Sequence, residues 1–208
     1  MAFSMTNAVC RTSRLAALLA LLLGGCSFDL GSWSLGPDKE AQPKPLAQPT
    51  PEISAKSISD AQEVAVHGRT LARSGKTQEA LAEFEKALAL DPYNAQALYG
   101  RGLVYQGEKQ HQQAIEDFSS AHGLTPQRAE PLVARAVSYL ALDKVKEAVT
   151  DLDEAVQADP SSATAWSYRG QAYEKLGDKD KAKVSYSRAL AIRPRDDAAK
   201  NGLARIGG

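Results

Sequence analysis

A 34-residue period in this 208-residue chain constrains its fold more than any other feature. Units of that length, counted from Ala61, cover residues 61–94, 95–128, 129–162 and 163–196. Position 32 of every unit is a proline: Pro92, Pro126, Pro160 and Pro194. With proline at about 5% of residues, this coincidence has a chance probability of about 2 in ten thousand after all registers are allowed. The period therefore predicts an array of stacked units.

Other positions of the unit repeat independently of the prolines. Alanine fills positions 20 and 27 of all four units, position 8 is Gly or Ala, and position 24 is Phe, Leu or Tyr. Positions 4, 8 and 11 share one helical face, and positions 20, 24 and 27 share another. Small residues at 8, 20 and 27 let two helices approach closely, and large residues fill the space between them.

This pattern resembles the tetratricopeptide repeat family over residues 61–196. The resemblance implies an all-α fold, an α-solenoid of four repeats that are each two antiparallel helices. A last stretch, Asp197 to Ile206, has apolar residues at helical spacing, so residues 197–208 are predicted to form a capping helix over the open end. The repeat domain is placed at residues 59–196.

Local signals predict where the helices begin and turn. Ser59 with Gln62, and Asp60 with Glu63, are expected to cap the first helix. Three later N-caps are predicted: Asn94, Ser162 and Asp196. Gly75 and Gly177 fall at turns between paired helices, where a positive φ is favoured.

Arginine recurs at position 7 of units two to four. Positions 7 and 23 lie level on the two paired helices, which predicts ion pairs Arg101–Asp117 and Arg135–Asp151. Arg169 faces Ser185 at the matching position, so it has no predicted acidic partner in its own unit.

The first 25 residues have the features of a signal peptide. Arg11 and Arg14 precede an apolar run of nine residues, Leu15 to Leu23, and small residues follow. Spanning a bilayer takes about 20 apolar residues, so an anchoring helix is the weaker interpretation.

Leu23-Gly24-Gly25-Cys26 resembles the lipobox of bacterial lipoproteins. The resemblance implies cleavage before Cys26, lipidation of that thiol, and, from Ser27, sorting to the periplasmic side of the outer membrane. The alternative is an ordinary signal peptide with an incidental cysteine. Residues 26–58 are expected to carry the lipid and form a disordered Pro-rich linker, because five of ten prolines fall between Pro37 and Pro51.

The sequence shows no sign of an enzyme or of a metal protein. It has no phosphate-binding loop and no GxSxG motif, and two cysteines with three scattered histidines offer no metal-ligand spacing. The net charge of +0 gives no general attraction to nucleic acid. No catalytic residue, cofactor, metal, small-molecule substrate or nucleic acid is expected.

The family resemblance implies a concave groove lined by positions 2, 5, 9, 12 and 13 of each first helix. It predicts an apolar centre and a basic end for a peptide with acidic residues: Tyr99, Leu103, Val133, Val137 and Leu140, with Arg69 and Arg73. Neighbouring units could instead cover Leu103 and Val137. The carboxylate clamp of the family's chaperone-binding members is absent, since its positions hold Ala65 and Arg69.

The expected function is a membrane-anchored, periplasm-facing scaffold or adaptor that binds a peptide or protein segment. The alternative is a fixed assembly component of an envelope machine such as a pilus or secretion system.

Overall fold

In residues 54–207, the part of the chain that the computed structural model describes, there are nine α-helices and no strand. Their bounds are α1 Ala55–Arg73, α2 Thr77–Leu90, α3 Ala95–Gly107, α4 His111–Leu124, α5 Ala129–Ala141, α6 Val145–Ala158, α7 Ala163–Leu176, α8 Lys179–Ile192 and α9 Asp197–Ile206. Each odd-numbered helix up to α7 packs on the even-numbered helix that follows, and the pairs stack in chain order. The predicted all-α solenoid of four repeats with a capping helix is confirmed.

The predicted signal peptide, Cys26 and most of the linker lie outside the described residues. The linker was expected to extend to residue 58, but α1 already begins at Ala55. The predicted caps at Ser59 and Asp60 are therefore wrong, because the helix runs through both. Ser54 is the N-cap, and its side chain accepts a hydrogen bond from Ser57 N at 3.1 Å. No Pro or Gly separates Ser54 from the repeat, so nothing local stops the helix there.

The three later N-caps are confirmed. The side chains of Asn94, Ser162 and Asp196 accept hydrogen bonds from the backbone N–H groups three residues on, at 2.9, 3.2 and 3.0 Å. Each bond satisfies one of the free N–H groups at a helix start.

Position 15 of every unit adopts a left-handed backbone conformation in the turn between paired helices. The φ angles are 76° at Gly75, 61° at Lys109, 58° at Asp143 and 87° at Gly177. Both predicted glycines have this role. Units two and three place an ordinary residue in the same conformation, which costs energy for any side chain with a Cβ.

The core of each unit matches a large residue at position 24 with a small one at position 8. Phe118 lies against Gly102, where an added Cβ would come within 2.7 Å of the ring. Tyr186 lies against Gly170 in the same way, whereas the smaller Leu152 accommodates Ala136. The predicted complementarity of small and large residues is thus confirmed.

The same large residues also join neighbouring units. An added Cβ at Gly100, in the next unit, would meet the ring of Phe84 at 2.5 Å. Tyr186 packs on Gly202, Ala199 and Leu203 of α9. Helix α9 therefore covers the apolar end that a fifth repeat would otherwise bury.

The predicted ion pairs form between the paired helices. Arg101 and Arg135 each donate two hydrogen bonds, to Asp117 and to Asp151, at distances of 2.7 to 2.9 Å. Arg169 finds its partner in the preceding unit instead, where it donates to Asp153 at 2.6 Å. Its guanidinium also lies 5.3 and 4.8 Å from the ring centres of Trp166 and Tyr173.

Candidate functional site: the concave groove

A groove of about 610 Å³ follows α3 between α1 and the start of α5. Its lining extends along α3 from Ala95 to Glu108, and we call this cavity the concave groove. At 1.5 Å per helical residue, the groove is about 20 Å long. An extended peptide rises about 3.3 Å per residue, so the length matches a segment of about six residues.

Four of the seven predicted groove residues lie together in this cavity. Tyr99 and Leu103 project from α3, and Arg69 and Arg73 project from α1. Leu103 remains 42% exposed, so neighbouring units do not cover it. These residues give the groove an apolar middle with two arginines beside it.

Leu140 was expected in the groove, and that expectation is wrong. Its side chain is only 8% exposed and packs with Ala136, Leu152 and Ala172 in the core between units three and four. The reason is that position 12 faces the next repeat. Gln106, at this position in unit two, donates from Nε2 to Ala134 O and Ser138 Oγ of α5, both at 2.8 Å.

Val133 and Val137 lie outside the cavity as well. Val133 is partly buried because it packs against the cores of both units three and four. Val137 is also partly buried. The apolar stretch is therefore shorter than predicted and centres on α3.

One end of the groove carries an ion pair. Arg128 donates to both carboxylate oxygens of Glu130 at 3.0 and 3.3 Å. This bond lowers the pKa of Glu130 and raises that of Arg128. Burial, followed by the charge of Glu130, raises the pKa of the neighbouring Tyr99 phenol, which therefore stays protonated at neutral pH.

The α1 side of the groove has a different charge pattern. Arg69 and Arg73 are exposed, and within residues 54–207 neither makes an ion pair. Glu108 is the acidic residue of the groove lining on this side. The two arginines give this side a net positive charge, whereas the charges of Arg128 and Glu130 cancel.

Sequence reasoning missed Thr125 and Arg128, which line the groove from the loop between α4 and α5. The family resemblance assigns the groove to helical positions and so overlooks loops. Gly107 matters for its missing side chain, because an added Cβ there would meet nothing within 4 Å. A larger residue at this position would therefore project into the groove.

A smaller cavity of about 320 Å³ lies between α7 and α9. Polar side chains line it, among them Thr164, Gln171 and Asn201. Both arginines of this cavity already form hydrogen bonds within the protein. Arg193 donates to Thr164, and Arg205 donates to Glu174.

Within residues 54–207, no cluster of three or more His, Cys, Asp or Glu side chains is placed to hold a metal ion. No helix in that range is both long and apolar enough to cross a bilayer.

Solved structures with the same architecture include a thermophilic repeat protein and two peptide complexes. A repeat protein of Thermus thermophilus, TTC0263, is 25% identical with a TM-score of 0.62, covering 71% of this chain and 83% of that one. The first repeat domain of Spaghetti (RPAP3) bound to the HSP90 peptide SRMEEVD is 29% identical with a TM-score of 0.53, covering 54% and 89%. The second repeat domain of human RPAP3, in complex with the HSP70 peptide SGPTIEEVD, is 28% identical with a TM-score of 0.52, covering 53% and 92%.

No curated protein sequence matches the chain. Family models do match it. A TPR repeat model matches residues 68–109 and 138–177, and tetratricopeptide repeat models match residues 95–128 and 163–196. Together these matches span more than half of the sequence, and those at residues 95–128 and 163–196 coincide with units two and four of the 34-residue period. The chain belongs to the tetratricopeptide repeat family.

Proposed function

We propose that this protein is an interaction scaffold that binds an extended segment of a partner protein in the concave groove. The observation that carries the proposal is the groove itself, about 610 Å³ in volume with Leu103 exposed at its centre. Concave, mainly apolar cavities with a few polar groups are where proteins usually bind ligands. The two RPAP3 domains with bound peptides support this use of the fold.

The lining indicates the chemistry of the bound segment. Leu103 and Tyr99 offer contact area for one or two apolar side chains. Arg69 and Arg73 favour carboxylates next to those side chains, because neither arginine is engaged in an ion pair within the described residues. Both peptides in the similar complexes combine acidic and apolar residues, as their sequences SRMEEVD and SGPTIEEVD show.

The protein acts at a membrane surface in this proposal. The apolar run, Gly24, Gly25 and Cys26 support an N-terminal lipid at Cys26 and a position on the periplasmic side of a bacterial outer membrane. The linker would let the repeats reach partners away from the bilayer. No catalytic step is proposed, since members of this fold family act typically by binding.

A pair of glycines allows a sharp test of groove binding. Gly107→Leu fills the groove, whereas Gly123→Leu adds the same side chain at the end of α4, where an added Cβ also meets nothing within 4 Å. Partners are captured by crosslinking and pull-down from membranes of the native host. Loss of the main partner with Gly107→Leu and its retention with Gly123→Leu are expected. Equal capture by both variants would show that the groove is not the binding site.

The anchor has its own test. Cells are labelled with a clickable fatty acid, and wild type is compared with Cys26→Ala. Label on wild type alone is expected, and equal labelling of both would refute lipidation at Cys26.

A further inference from the structure

We propose that the outer face of α8 is a docking surface for the anionic headgroups of a phospholipid bilayer. This surface is separate from the concave groove and does not depend on the groove function. We call it the α8 face and define it by Lys179, Lys183, Val184, Ser187 and Arg188, which are all exposed.

The α8 face lies in the part of the fold with a large excess of positive charge. Residues 179–207 contain eight Lys and Arg and three Asp, a net charge of +5. Residues 54–178 contain 13 Lys and Arg and 18 Asp and Glu, a net charge of −5. The overall neutrality of the chain therefore hides a strong asymmetry. An anionic surface would attract the α8 end and repel the rest of the solenoid.

The cations of the α8 face are available for a ligand. Lys179, Lys183 and Arg188 make no ion pair within residues 54–207, unlike Lys181, which pairs with Asp178 at 3.1 Å. Arg195, just beyond the helix, is exposed and unpaired within the same range. Asp180 is the one carboxylate of α8, and it is exposed among these cations, so the three cations of the α8 face outnumber it.

The arrangement of these side chains on the helix is that of a membrane-surface helix. At 100° per residue, Val184, Ser187 and the exposed Asp180 lie near the middle of the exposed side. Lys179 and Lys183 lie on one flank, and Arg188 lies on the other. Val184 is 63% exposed, so an apolar side chain stands between cations on both sides. Long basic side chains can then contact headgroups while the strip between them meets the bilayer boundary.

Comparison with the other units shows why α8 alone can present this face. Position 21 is Leu81, Ile115 and Val149 in the first three units, where the next repeat covers it wholly or in part. The fourth unit has Lys183 at this position, and it is exposed. Helix α9 packs on Tyr186 of α8 and leaves Lys183 and Val184 exposed.

The chemistry favours a lipid surface over a protein partner. The residues of the α8 face line neither the cavity of about 610 Å³ nor the one of about 320 Å³, although Tyr186, on the buried side of α8, lines the smaller one. Lysines are flexible point charges, which suit a surface with many equivalent anions. Each basic residue near an anionic bilayer raises the binding constant for that bilayer about fivefold.

The test uses the full chain with a fluorescent reporter on the face. In a background with Cys10→Ser and Cys26→Ser, an environment-sensitive dye is attached through Ser187→Cys. The matched control carries the dye through Ser120→Cys, on the exposed side of α4. Vesicles are phosphatidylcholine alone or with about 30% phosphatidylglycerol. A blue shift is expected for the dye at residue 187 with anionic vesicles only, and about 0.5 M salt should remove it.

Variants then identify the cations. Lys179→Gln with Lys183→Gln and Arg188→Gln should weaken vesicle binding about a hundredfold, from about fivefold per residue. Lys179→Arg with Lys183→Arg should retain it, and a helical circular dichroism spectrum confirms that each variant is folded. An unshifted dye at residue 187, an equal shift at residue 120, or unchanged binding by the triple Gln variant would overturn the proposal. A shift with polyglutamate but not with vesicles would make the partner an acidic protein and overturn the lipid assignment.

Discussion

Arg135 donates to both carboxylate oxygens of Asp151 at 2.8 Å, and its remaining terminal nitrogen donates to Ser119 Oγ in the preceding unit at 3.0 Å. One guanidinium thus ties the two helices of its own repeat together and joins them to the repeat before. The side chains of Arg135 and Asp151 are only 17% and 7% exposed. Water therefore cannot readily replace a lost partner.

Removal of Asp151 should destabilise the fold strongly. Asp151→Ala leaves the mostly buried charge of Arg135 without a counter-ion, which costs about 3 kcal/mol. Urea unfolding followed by circular dichroism measures this loss. The exposed pair Arg128–Glu130 is the control, and Glu130→Ala should cost about 0.5 kcal/mol. A double-mutant cycle without coupling between Arg135 and Asp151 would disprove the role given to this pair.

Gly102→Ala should destabilise unit two because the new methyl group meets the ring of Phe118. The added Cβ would lie 2.7 Å from Cε1, and the ring is fully buried. Overpacking of this kind costs about 1–3 kcal/mol. Phe118→Leu alone should also destabilise, by leaving a cavity, but the double variant reproduces the Ala136–Leu152 pair of unit three. Recovery of part of the lost stability in the double variant is therefore expected, and simple additivity of the two losses would contradict it.

Lys109→Gly should stabilise the protein. Lys109 has φ 61° at the position where units one and four have glycine. Relief of the left-handed conformation should raise the free energy of unfolding by about 1–2 kcal/mol. The greater freedom of glycine in the unfolded chain offsets about 0.5–1 kcal/mol of that gain. Asp143→Gly should gain less, because Asp tolerates this conformation better. A lower thermal midpoint for Lys109→Gly than for wild type would contradict the argument.

The repeat period predicted most of the fold, because the small and large positions that pack one unit recur in each. The two ion pairs were predictable for the same reason, since positions 7 and 23 lie level within a unit. The start of α1 could not be predicted in this way. Residues 54–60 precede the first repeat, so no other unit has equivalent positions with which to compare them.

Contacts between units were harder to predict from sequence. Leu140 was assigned to the groove because a family rule treats position 12 as concave, yet the packing of α5 on α7 buries it. Arg169 likewise found Asp153 across a unit boundary, 16 residues earlier. A pattern read one unit at a time does not show which neighbouring side chain is close enough to cover or pair with a residue.

Removal of residues 197–208 should lower the stability of the fourth repeat. Tyr186 is 1% exposed, and it packs against Ala199, Gly202 and Leu203 of α9. Without α9 its ring would face water, so part of its burial energy, about 1.5–3 kcal/mol for a large side chain, would be lost. Thermal unfolding of the truncated chain measures the effect. An unchanged melting temperature would refute the capping role of α9.

Acid should release α9 from the solenoid. Arg205 donates to both oxygens of Glu174 at 2.8 and 2.9 Å, and Tyr186 Oη donates to the same carboxylate at 2.6 Å. The Arg205 bond, and to a lesser extent the Tyr186 bond, lowers the pKa of Glu174.

A lowered pKa in the fold means that this stabilisation is present above the ordinary glutamate pKa of about 4.3 and is lost as pH falls through the lowered value. Hydrogen exchange of the α9 amides, corrected for the intrinsic rate, should therefore lose protection as the pH falls below the ordinary glutamate pKa, before the amides of α5 and α6 do. Glu174→Gln should weaken protection of α9 at neutral pH and remove most of the acid dependence. Protection of α9 that stays unchanged in wild type until the whole repeat domain unfolds in acid would show that Glu174 does not hold the cap.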